Sequence, residues 1–371
     1  RTDRTTPSAG TTATGAAPSS SGSQTLPSSA TTSPSLPPTS RPSTQPTARP
    51  TTRPPVTTTT RPGPTVAPPT ATPAPTATPV PTNPPTQPAT GSFPYIHFGT
   101  TYKDAYTSAG VTAASEDGKC SVSLDQAANG VILVRMDNGV AGNKALVTTP
   151  SGSQFQYNIQ PGTWLGLPCN GGSGNYKVML LENVGGSTFL PLFNDTFNVS
   201  LSSWLRPYTA ASVMMNFGSG SSAVQVSNSL CAGLSTTDAK VSAVYQWITS
   251  NISYDSALAA QIGTGAVTTY TPDIEAIMSS RKGICFDYAA VMASMLRSQG
   301  IPTKLVMGYV PQGYHAWNEV YFEGIGWVIV ASFRVAEING SGYVMFDSTF
   351  GAAGMTIDSI NAVSRQIQKV Y

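Results

Sequence analysis

The sequence predicts an α+β protein in three parts: a disordered Pro/Thr-rich stalk at residues 1–92, an all-β sandwich at residues 93–205 and a mixed helix-and-sheet domain at residues 206–371. Three observations support this division. Aromatic residues are absent before residue 93, short apolar runs broken by turn residues follow, and apolar residues at helical spacing begin beyond residue 205.

The first 92 residues have the composition of a stalk. They hold 22 of the 31 prolines and contain no Phe, Tyr, Trp, Ile, Met or Cys. Such a segment cannot bury enough apolar surface to offset the entropy lost on ordering, and Pro-rich chain favours extended polyproline II. The repeated Thr-Arg-Pro and Thr-Pro units are typical of mucin-like stalks; a PxxP-type binding motif is the alternative.

Charge changes at the same boundary. The stalk carries six arginines against Asp3 alone, whereas residues 93–371 carry 14 basic and 17 acidic side chains. Spaced arginines fit contact with cell-wall or anionic surface polymers, and they would equally well keep the stalk soluble. No Lys/Arg cluster is interleaved with aromatic residues, so no nucleic-acid partner is predicted.

The composition of the chain is typical of an exported protein. The chain begins with Arg1 rather than Met, only 10% of its residues are charged, and no apolar run reaches about 18 residues. We therefore expect an extracellular or cell-surface location, an N-terminal signal or anchor that has been removed, and no membrane span in these residues.

Residues 93–205 predict a sandwich of about seven strands. Pro150-Ser151-Gly152-Ser153 indicates a hairpin turn. Spacings of roughly 8 to 14 residues between short apolar runs are typical of such folds. The runs lie at 120–124, 131–136, 145–149, 154–159, 164–167, 176–182 and 196–201.

The cysteines of the β region leave two interpretations open. In an oxidising compartment Cys120 and Cys169 would form a disulfide, or they are two separate buried thiols, because connectivity is not deducible from sequence. Cys231 is expected to be a buried structural thiol. No Cys/His cluster and no EF-hand spacing occurs, so neither a metal nor another cofactor is predicted.

Helical periodicity begins beyond residue 205. Apolar spacing predicts helices over 222–234 and 237–252, the second capped near Thr236. A buried helix over 285–299 ends at Gly300-Ile301-Pro302. Strands are expected at 303–309, 315–322, 327–330 and 343–347.

Three short motifs supply a thiol, an imidazole and a carboxylate in chain order. Cys285 lies in KGICFDYAA at the start of the buried helix, His315 in YHAWNEV and Asp347 in MFDSTF. A nucleophile, its base and the group that orients the base are the parts of thiol catalysis. The only other histidine is His97, so the base has one competitor.

This pattern resembles the transglutaminase-like superfamily, whose core carries a Gly-x-Cys helix start, a His-Ala-Trp strand and an Asp-Pro-Thr strand. The resemblance covers about residues 236–352. It implies a papain-like core, in which the helix carrying Cys285 packs on an antiparallel sheet carrying His315 and Asp347, and an immunoglobulin-like module before it, as in secreted bacterial relatives. Ser348 replaces the family's proline, and residues 332–342 are expected to form a loop at the cleft rim.

The resemblance also implies the surroundings of the nucleophile. The hydroxyl of Tyr254 and the backbone N–H of Cys285 would form an oxyanion site; a core tyrosine is the alternative. Trp317 shares a strand face with His315 and is expected to wall the cleft.

Three neighbours complete the expected site. Gly283 is expected to let the chain turn and to leave room for a substrate carbonyl. Asp287 is given a structural hydrogen-bonding role. Glu319 is expected to face the site or to pair with Arg281 or Lys282.

Two function classes remain open. The first is an exported thiol enzyme that forms a thioester on Cys285 from a protein or peptide amide and passes the acyl group to water, as a peptidase or amidase, or to an amine, as a cross-linking enzyme. The second is a catalytically silent cell-surface binding or adhesion protein. The three motifs favour the first class, and the stalk and β region fit either class.

Overall fold

Two four-stranded antiparallel sheets form the first half of the fold, in a computed structural model that describes residues 93–311, 313–329, 348–353 and 363–371. The sheets have the strand orders β1-β2-β3-β6 and β5-β4-β7-β8. Their strands are β1 (Ala113–Ala114), β2 (Cys120–Ser123), β3 (Val131–Met136), β4 (Asn143–Thr148), β5 (Gln154–Ile159), β6 (Leu165–Pro168), β7 (Gly174–Gly185) and β8 (Thr188–Val199).

All seven predicted runs contain strands, and the predicted hairpin turn joins β4 to β5. The Thr149 N–H donates to the Ser153 carbonyl at 2.9 Å, and Gly152 takes the positive φ of 84° that the turn requires. The last two strands are longer than predicted, because their outer halves form a ribbon with exposed apolar side chains such as Val184 and Leu190. The assignment of this β region as immunoglobulin-like stays a prediction.

The register of β3 excludes a bond between Cys120 and Cys169. Cys120 lies opposite Met136 at one end of β3, whereas Pro168, next to Cys169, lies opposite Val131 at the other end. Five residues of extended chain separate the ends by roughly 17 Å, beyond the reach of a disulfide. Both are free buried thiols, and burial raises the pKa of Cys120 to about 11 and of Cys169 to about 12.

The second half of the fold packs helices on a sheet of order β13-β12-β11-β14, beside a parallel pair of β9 and β10. Its helices are α1 (Ser222–Cys231), α2 (Thr237–Asn251), α3 (Ser256–Gly263), α4 (Ile274–Ser280), α5 (Cys285–Ser298) and α6 (Ser348–Ala352). Its strands are β9 (Ser253–Tyr254), β10 (Lys282–Gly283), β11 (Thr303–Val310), β12 (Gly313–Phe322), β13 (Gly326–Ile329) and β14 (Gln366–Val370).

The predicted helices form with small differences at their ends. The Thr236 hydroxyl caps α2 by accepting the Ala239 N–H at 3.2 Å. The first helix ends at Cys231 rather than at residue 234, because Gly233 adopts a positive φ of 74°. Cys231 is buried, as expected. Within the described ranges, no helix has the length and apolar character that crossing a bilayer requires.

Helix α5 is the centre of the core and contains a buried cation. Arg297 is fully buried and donates to the carbonyl oxygens of Thr303 at 2.8 Å, Ala210 at 2.8 Å and Tyr371 at 3.1 Å. Loss of water lowers the pKa of this guanidinium to about 9. Three backbone acceptors thus replace the water that Arg297 loses on burial.

The two halves of the fold share one hydrophobic core. Tyr371, just after β14, exchanges backbone hydrogen bonds with Leu305 of β11 at 2.8 and 2.9 Å. Its ring packs against Phe155 and Tyr157 of β5, with ring centroids 5.7 and 6.0 Å away. The β region therefore supports the sheet on which α5 packs.

Candidate active site

Cys285 is the first residue of α5, directly after the N-cap residue Ile284. It is partly exposed, whereas the other three cysteines are buried. The first N–H groups of a helix lack acceptors within the helix, and together with the helix dipole they stabilise a negative charge at this end. The thiol is thus both accessible and placed at the positive end of the helix dipole.

Asp287 holds the start of α5 in place. It is fully buried, its Oδ2 accepts the Ile284 N–H at 2.8 Å, and its Oδ1 accepts the Tyr270 hydroxyl at 2.8 Å. Desolvation raises the pKa of this carboxyl, and the two hydrogen bonds oppose that rise. Asp287 therefore has the structural hydrogen-bonding role that the sequence suggested.

Gly283 is required for a reason that the sequence analysis did not give. A Cβ at this position would lie 2.5 Å from the Cβ of Asp287, closer than two carbon atoms can pack. The glycine makes room for the buried Asp287 side chain, and the room it would leave for a substrate carbonyl stays a prediction.

Tyr254 lies beside the helix start because β9 and β10 pair in parallel, with Tyr254 opposite Gly283. The Asp255 N–H donates to the Gly283 carbonyl at 2.9 Å. Tyr254 is 47% exposed, which rules out the alternative of a core tyrosine. Desolvation, followed by the charge of Cys285, raises the pKa of the Tyr254 hydroxyl. Its part in an oxyanion site stays a prediction.

His315 lies on β12, opposite Gly308 of β11, and is 6% exposed. The competing His97 lies at the other end of α5, where it packs against Gly300. Because α5 has 14 residues, its ends are roughly 21 Å apart. His97 is therefore too distant to act on Cys285.

A cavity of about 520 Å³ brings the thiol and the imidazole together. Cys285 contributes from α5, His315 from β12 and Tyr254 from β9, so three elements meet at one cleft. The remaining described residues of the lining are Ile252, Ser253, Tyr288, Val310, Gly313, Tyr314, Thr349, Ala352 and Ala353.

Trp317 does not wall this cavity, contrary to expectation. It is 1% exposed and packs with Val306, Val310 and Val363 in a small cluster behind the cleft. Its ring stacks near that of His315, with centroids 6.5 Å apart and planes 22° apart. Sharing a strand face with His315 therefore places Trp317 beside the imidazole and outside the cavity lining.

Glu319 also lies elsewhere than expected. Its carboxylate pairs with the Lys304 ammonium at 2.8 Å, not with Arg281 or Lys282. The register of β11 and β12 places Glu319 directly opposite Lys304, and Arg281 instead lies over the ring of Trp247. Glu319 thus belongs to the sheet rather than to the cleft.

Tyr314 is a cavity residue that the sequence analysis did not identify. It is 50% exposed, and its ring packs edge-on against Tyr309, with centroids 5.2 Å apart. Desolvation, then Tyr309 and Cys285, raise the pKa of Tyr314. Alternation along a strand argues against adjacent residues sharing a site, yet Tyr314 and His315 both line the cleft next to the β11–β12 turn. Its position beside His315 in the motif was the available signal.

Asp347 and the predicted rim loop at 332–342 lie outside the described residues. Among the residues that are described, no cluster of three or more metal-ligating side chains occurs. The site as described thus consists of a thiol at a helix start, an imidazole in the same cavity and two half-exposed tyrosine hydroxyls. This arrangement suits attack of a thiol on a carbonyl carbon with imidazole as base.

Comparison with known proteins gives a family for this part of the chain. Residues 224–332 match the family model of the transglutaminase-like superfamily, while a search of curated proteins gave no match. Among solved structures, the chain is similar to a candidate cysteine protease from Cytophaga hutchinsonii, with 16% identity over 63% of this chain and 85% of that one and a TM-score of 0.31.

Two transglutaminase structures are similar over a smaller share of their length. One, described as a TGase, has 19% identity over 36% of this chain and 35% of its own, with a TM-score of 0.25. The other is red sea bream transglutaminase, with 12% identity over 53% of this chain and 47% of its own and a TM-score of 0.24. The chain thus spans less than half the length of either transglutaminase.

Proposed function

Because residues 224–332 match the family model of the transglutaminase-like superfamily, we propose that the protein is an exported thiol enzyme that attacks protein or peptide amides with Cys285. The family match supports a thiol enzyme in general. The reaction and the location outside the cell are our proposal, and the location is supported by the stalk-like composition of residues 1–92.

One observation carries the proposal. Cys285 is the one cysteine that is not buried, and it shares a cavity with His315. A cysteine that only packs needs neither a helix start nor an imidazole beside it. The described walls of the cavity are mostly apolar, and exclusion of water there strengthens the attraction between thiolate and imidazolium.

The proposed reaction proceeds in two halves. The Cys285 sulfur attacks the amide carbon and its proton passes to His315, so that a C–S bond forms and the carbonyl oxygen becomes an oxyanion. Tyr254 and the Cys285 N–H would hold that oxyanion. His315 then protonates the leaving nitrogen as the C–N bond breaks, which leaves a thioester. Asp347 would fix the tautomer of His315.

The second half depends on the acceptor. Water attacking the thioester, with His315 removing its proton, gives a carboxylic acid and the free thiol. An amine attacking instead gives a new amide and a cross-link. We favour hydrolysis, because water is the default acceptor at an extracellular site.

The test uses the full chain with a pool of glutamine-containing peptides and a biotinylated amine. Mass spectrometry should find an acyl adduct on Cys285 in the wild type and none in Cys285→Ala, and His315→Ala should slow acylation by roughly 10²- to 10⁴-fold. Biotin in the peptides indicates transfer, whereas released ammonia or shortened peptides without biotin indicate hydrolysis.

The alternative function is a catalytically silent surface-binding protein. It would be supported if the wild type and Cys285→Ala gave the same result across a broad substrate pool. The β region at residues 93–205 would then be the place to search for a ligand.

A further inference from the structure

We propose that residues 264–273, the connection between α3 and α4, form a clamp that positions the start of the nucleophile helix, and that the β region anchors this clamp through Asn158. The proposal rests on Cys285 being the nucleophile, as proposed above. It goes further by giving the β region a role in the catalytic step, through positioning residues that do not touch the substrate.

Tyr270 of the clamp contacts the first turn of α5 at two residues, Asp287 and Phe286. The Tyr270 hydroxyl donates to Asp287 Oδ1 at 2.8 Å. The Tyr270 ring packs edge-on against Phe286, with centroids 6.3 Å apart. Cys285 is therefore adjacent in the chain to a residue held by Tyr270, and Asp287 holds Ile284 on its other side.

The other end of the clamp is fixed to the β region. Thr271, next to Tyr270, accepts a hydrogen bond from Asn158 Nδ2 of β5 at 2.9 Å. The Asn158 side chain is oriented in turn by Lys144 of β4, whose ammonium donates to Asn158 Oδ1. Lys144 is 6% exposed and lies directly opposite Asn158 across the two strands. The anchor is thus a hydrogen-bonded pair on neighbouring strands, of which Lys144 is buried and Asn158 partly buried.

Together these contacts form a continuous connection from β4 to the nucleophile. It runs from Lys144 through Asn158 and Thr271 to Tyr270, and from Tyr270 through Asp287 to the Ile284 N–H beside Cys285. None of these side chains is among the described residues that line the cavity. They can influence the reaction only by setting where the first turn of α5 lies.

Positioning of this kind affects rate more than substrate binding. Thiol and imidazole must stay within hydrogen-bond reach for proton transfer, and a misplacement of about 1 Å at a catalytic group costs up to about 100-fold in rate. Loss of the clamp should therefore lower kcat and leave KM unchanged, because the cavity walls remain intact.

Tyr270→Phe is the most direct test, because it removes one hydroxyl and keeps the ring on Phe286. Tyr102→Phe is the matched control: its hydroxyl donates to the Ser298 carbonyl at the opposite end of the same helix, at 3.2 Å. We expect Tyr270→Phe to speed hydrogen exchange of the Ile284 amide about tenfold and to slow alkylation of Cys285 by iodoacetamide. In the amide assay, kcat should fall about tenfold at constant KM. The control should change none of these.

Asn158→Ala tests the anchor. We expect faster exchange at residues 284–287 and slower alkylation of Cys285, in the same direction as for Tyr270→Phe and with a smaller size. Exchange at 284–287 identical to the wild type in Asn158→Ala would overturn the anchoring role of the β region. Equal effects of Tyr270→Phe and Tyr102→Phe would overturn the clamp itself.

The measurements that test the clamp can be distinguished from those that test the proposed function. Exchange and alkylation are measured without substrate, so they report on the clamp even if no amide is cleaved. If His315→Ala leaves the alkylation rate of Cys285 unchanged, the proposed thiol chemistry fails, while a difference in exchange between Tyr270→Phe and Tyr102→Phe still supports the clamp.

Discussion

At the scale of single residues, the environment of Asp287 predicts how the free energy of unfolding depends on pH. Desolvation raises the pKa of its carboxyl above the ordinary value of 3.8, so the folded protein binds this proton more tightly than the unfolded chain. Between the unfolded and folded pKa values the native state therefore holds more protons, and its free energy of unfolding falls as the pH rises. Below that window the carboxyl is protonated in both states.

Asp287→Asn removes this titration. The amide oxygen can still accept from Ile284, and the amide N–H₂ can donate to the Tyr270 oxygen. We expect the stability of the wild type relative to Asp287→Asn to decline as the pH rises from about 4, measured by urea unfolding at several pH values. A difference between the two proteins that is constant across this range would contradict the prediction.

Gly283→Ala should disturb the same turn. The added Cβ would meet Asp287 at 2.5 Å, and relieving such a contact costs about 1–3 kcal/mol. Thermal unfolding and the alkylation rate of Cys285 should both be affected. Gly263→Ala is the control, because a Cβ there meets nothing within 4 Å, and it should leave both unchanged or raise stability slightly. Equal melting temperatures for the two variants would count against the close approach.

The sequence motifs identified the two side chains that share the cavity, Cys285 and His315, and not the residues that pack around them. Cys285 and His315 are recognisable because each lies in a short local motif. Trp317 and Glu319 were placed wrongly, because their neighbours are set by strand register and by what packs behind the sheet. Those are long-range properties, and the residues beside Glu319 in the chain do not reveal that Lys304 will face it.

At the scale of elements, success followed the strength of the local pattern. Helix α5 is almost completely buried and has a strong stop signal after it, and strands β11 to β13 are apolar and bounded by turns. By contrast, α3 has no buried residue, and β14 alternates little and is half exposed. Their structure comes from capping and from pairing with β11, which tertiary contacts decide.

In helix α5, we expect replacement of Arg297 to lower the free energy of unfolding substantially. Replacing it by Met would leave the buried carbonyl oxygens of Thr303 and Ala210 without the guanidinium donor, at a total cost of about 3 kcal/mol. The Tyr371 carbonyl would keep the Leu305 N–H as its donor. Urea unfolding should show this loss, and Arg297→Lys should recover only part of it, since an ammonium cannot reproduce the guanidinium fork. Arg135→Met, which removes an exposed ion pair with Asp137, should cost less than about 1 kcal/mol. Comparable losses in the two Met variants would refute this view of α5.

At the scale of the whole molecule, composition predicts where a protease will cut. Pro/Thr-rich chain without aromatic residues is expected to be accessible, whereas the described residues from 93 onward share a hydrophobic core. Limited digestion should therefore confine early cleavage to residues 1–92 and leave a fragment that starts near residue 93, as mass spectrometry would show. Early cuts between residues 205 and 222 would instead indicate that the β region and the mixed domain separate readily.

The contact between Arg297 and Tyr371 also has a consequence for synthesis of the chain. The two residues are 74 positions apart, and ribosomes add about 5–20 residues per second, so roughly 4 to 15 s pass between their additions. During that time the newly made α5 lacks its third carbonyl acceptor, and β11 lacks the strand that pairs with its outer edge. In the nascent protein, α5 with Cys285 is therefore complete several seconds before β14 can pair with β11 and complete the sheet that contains His315.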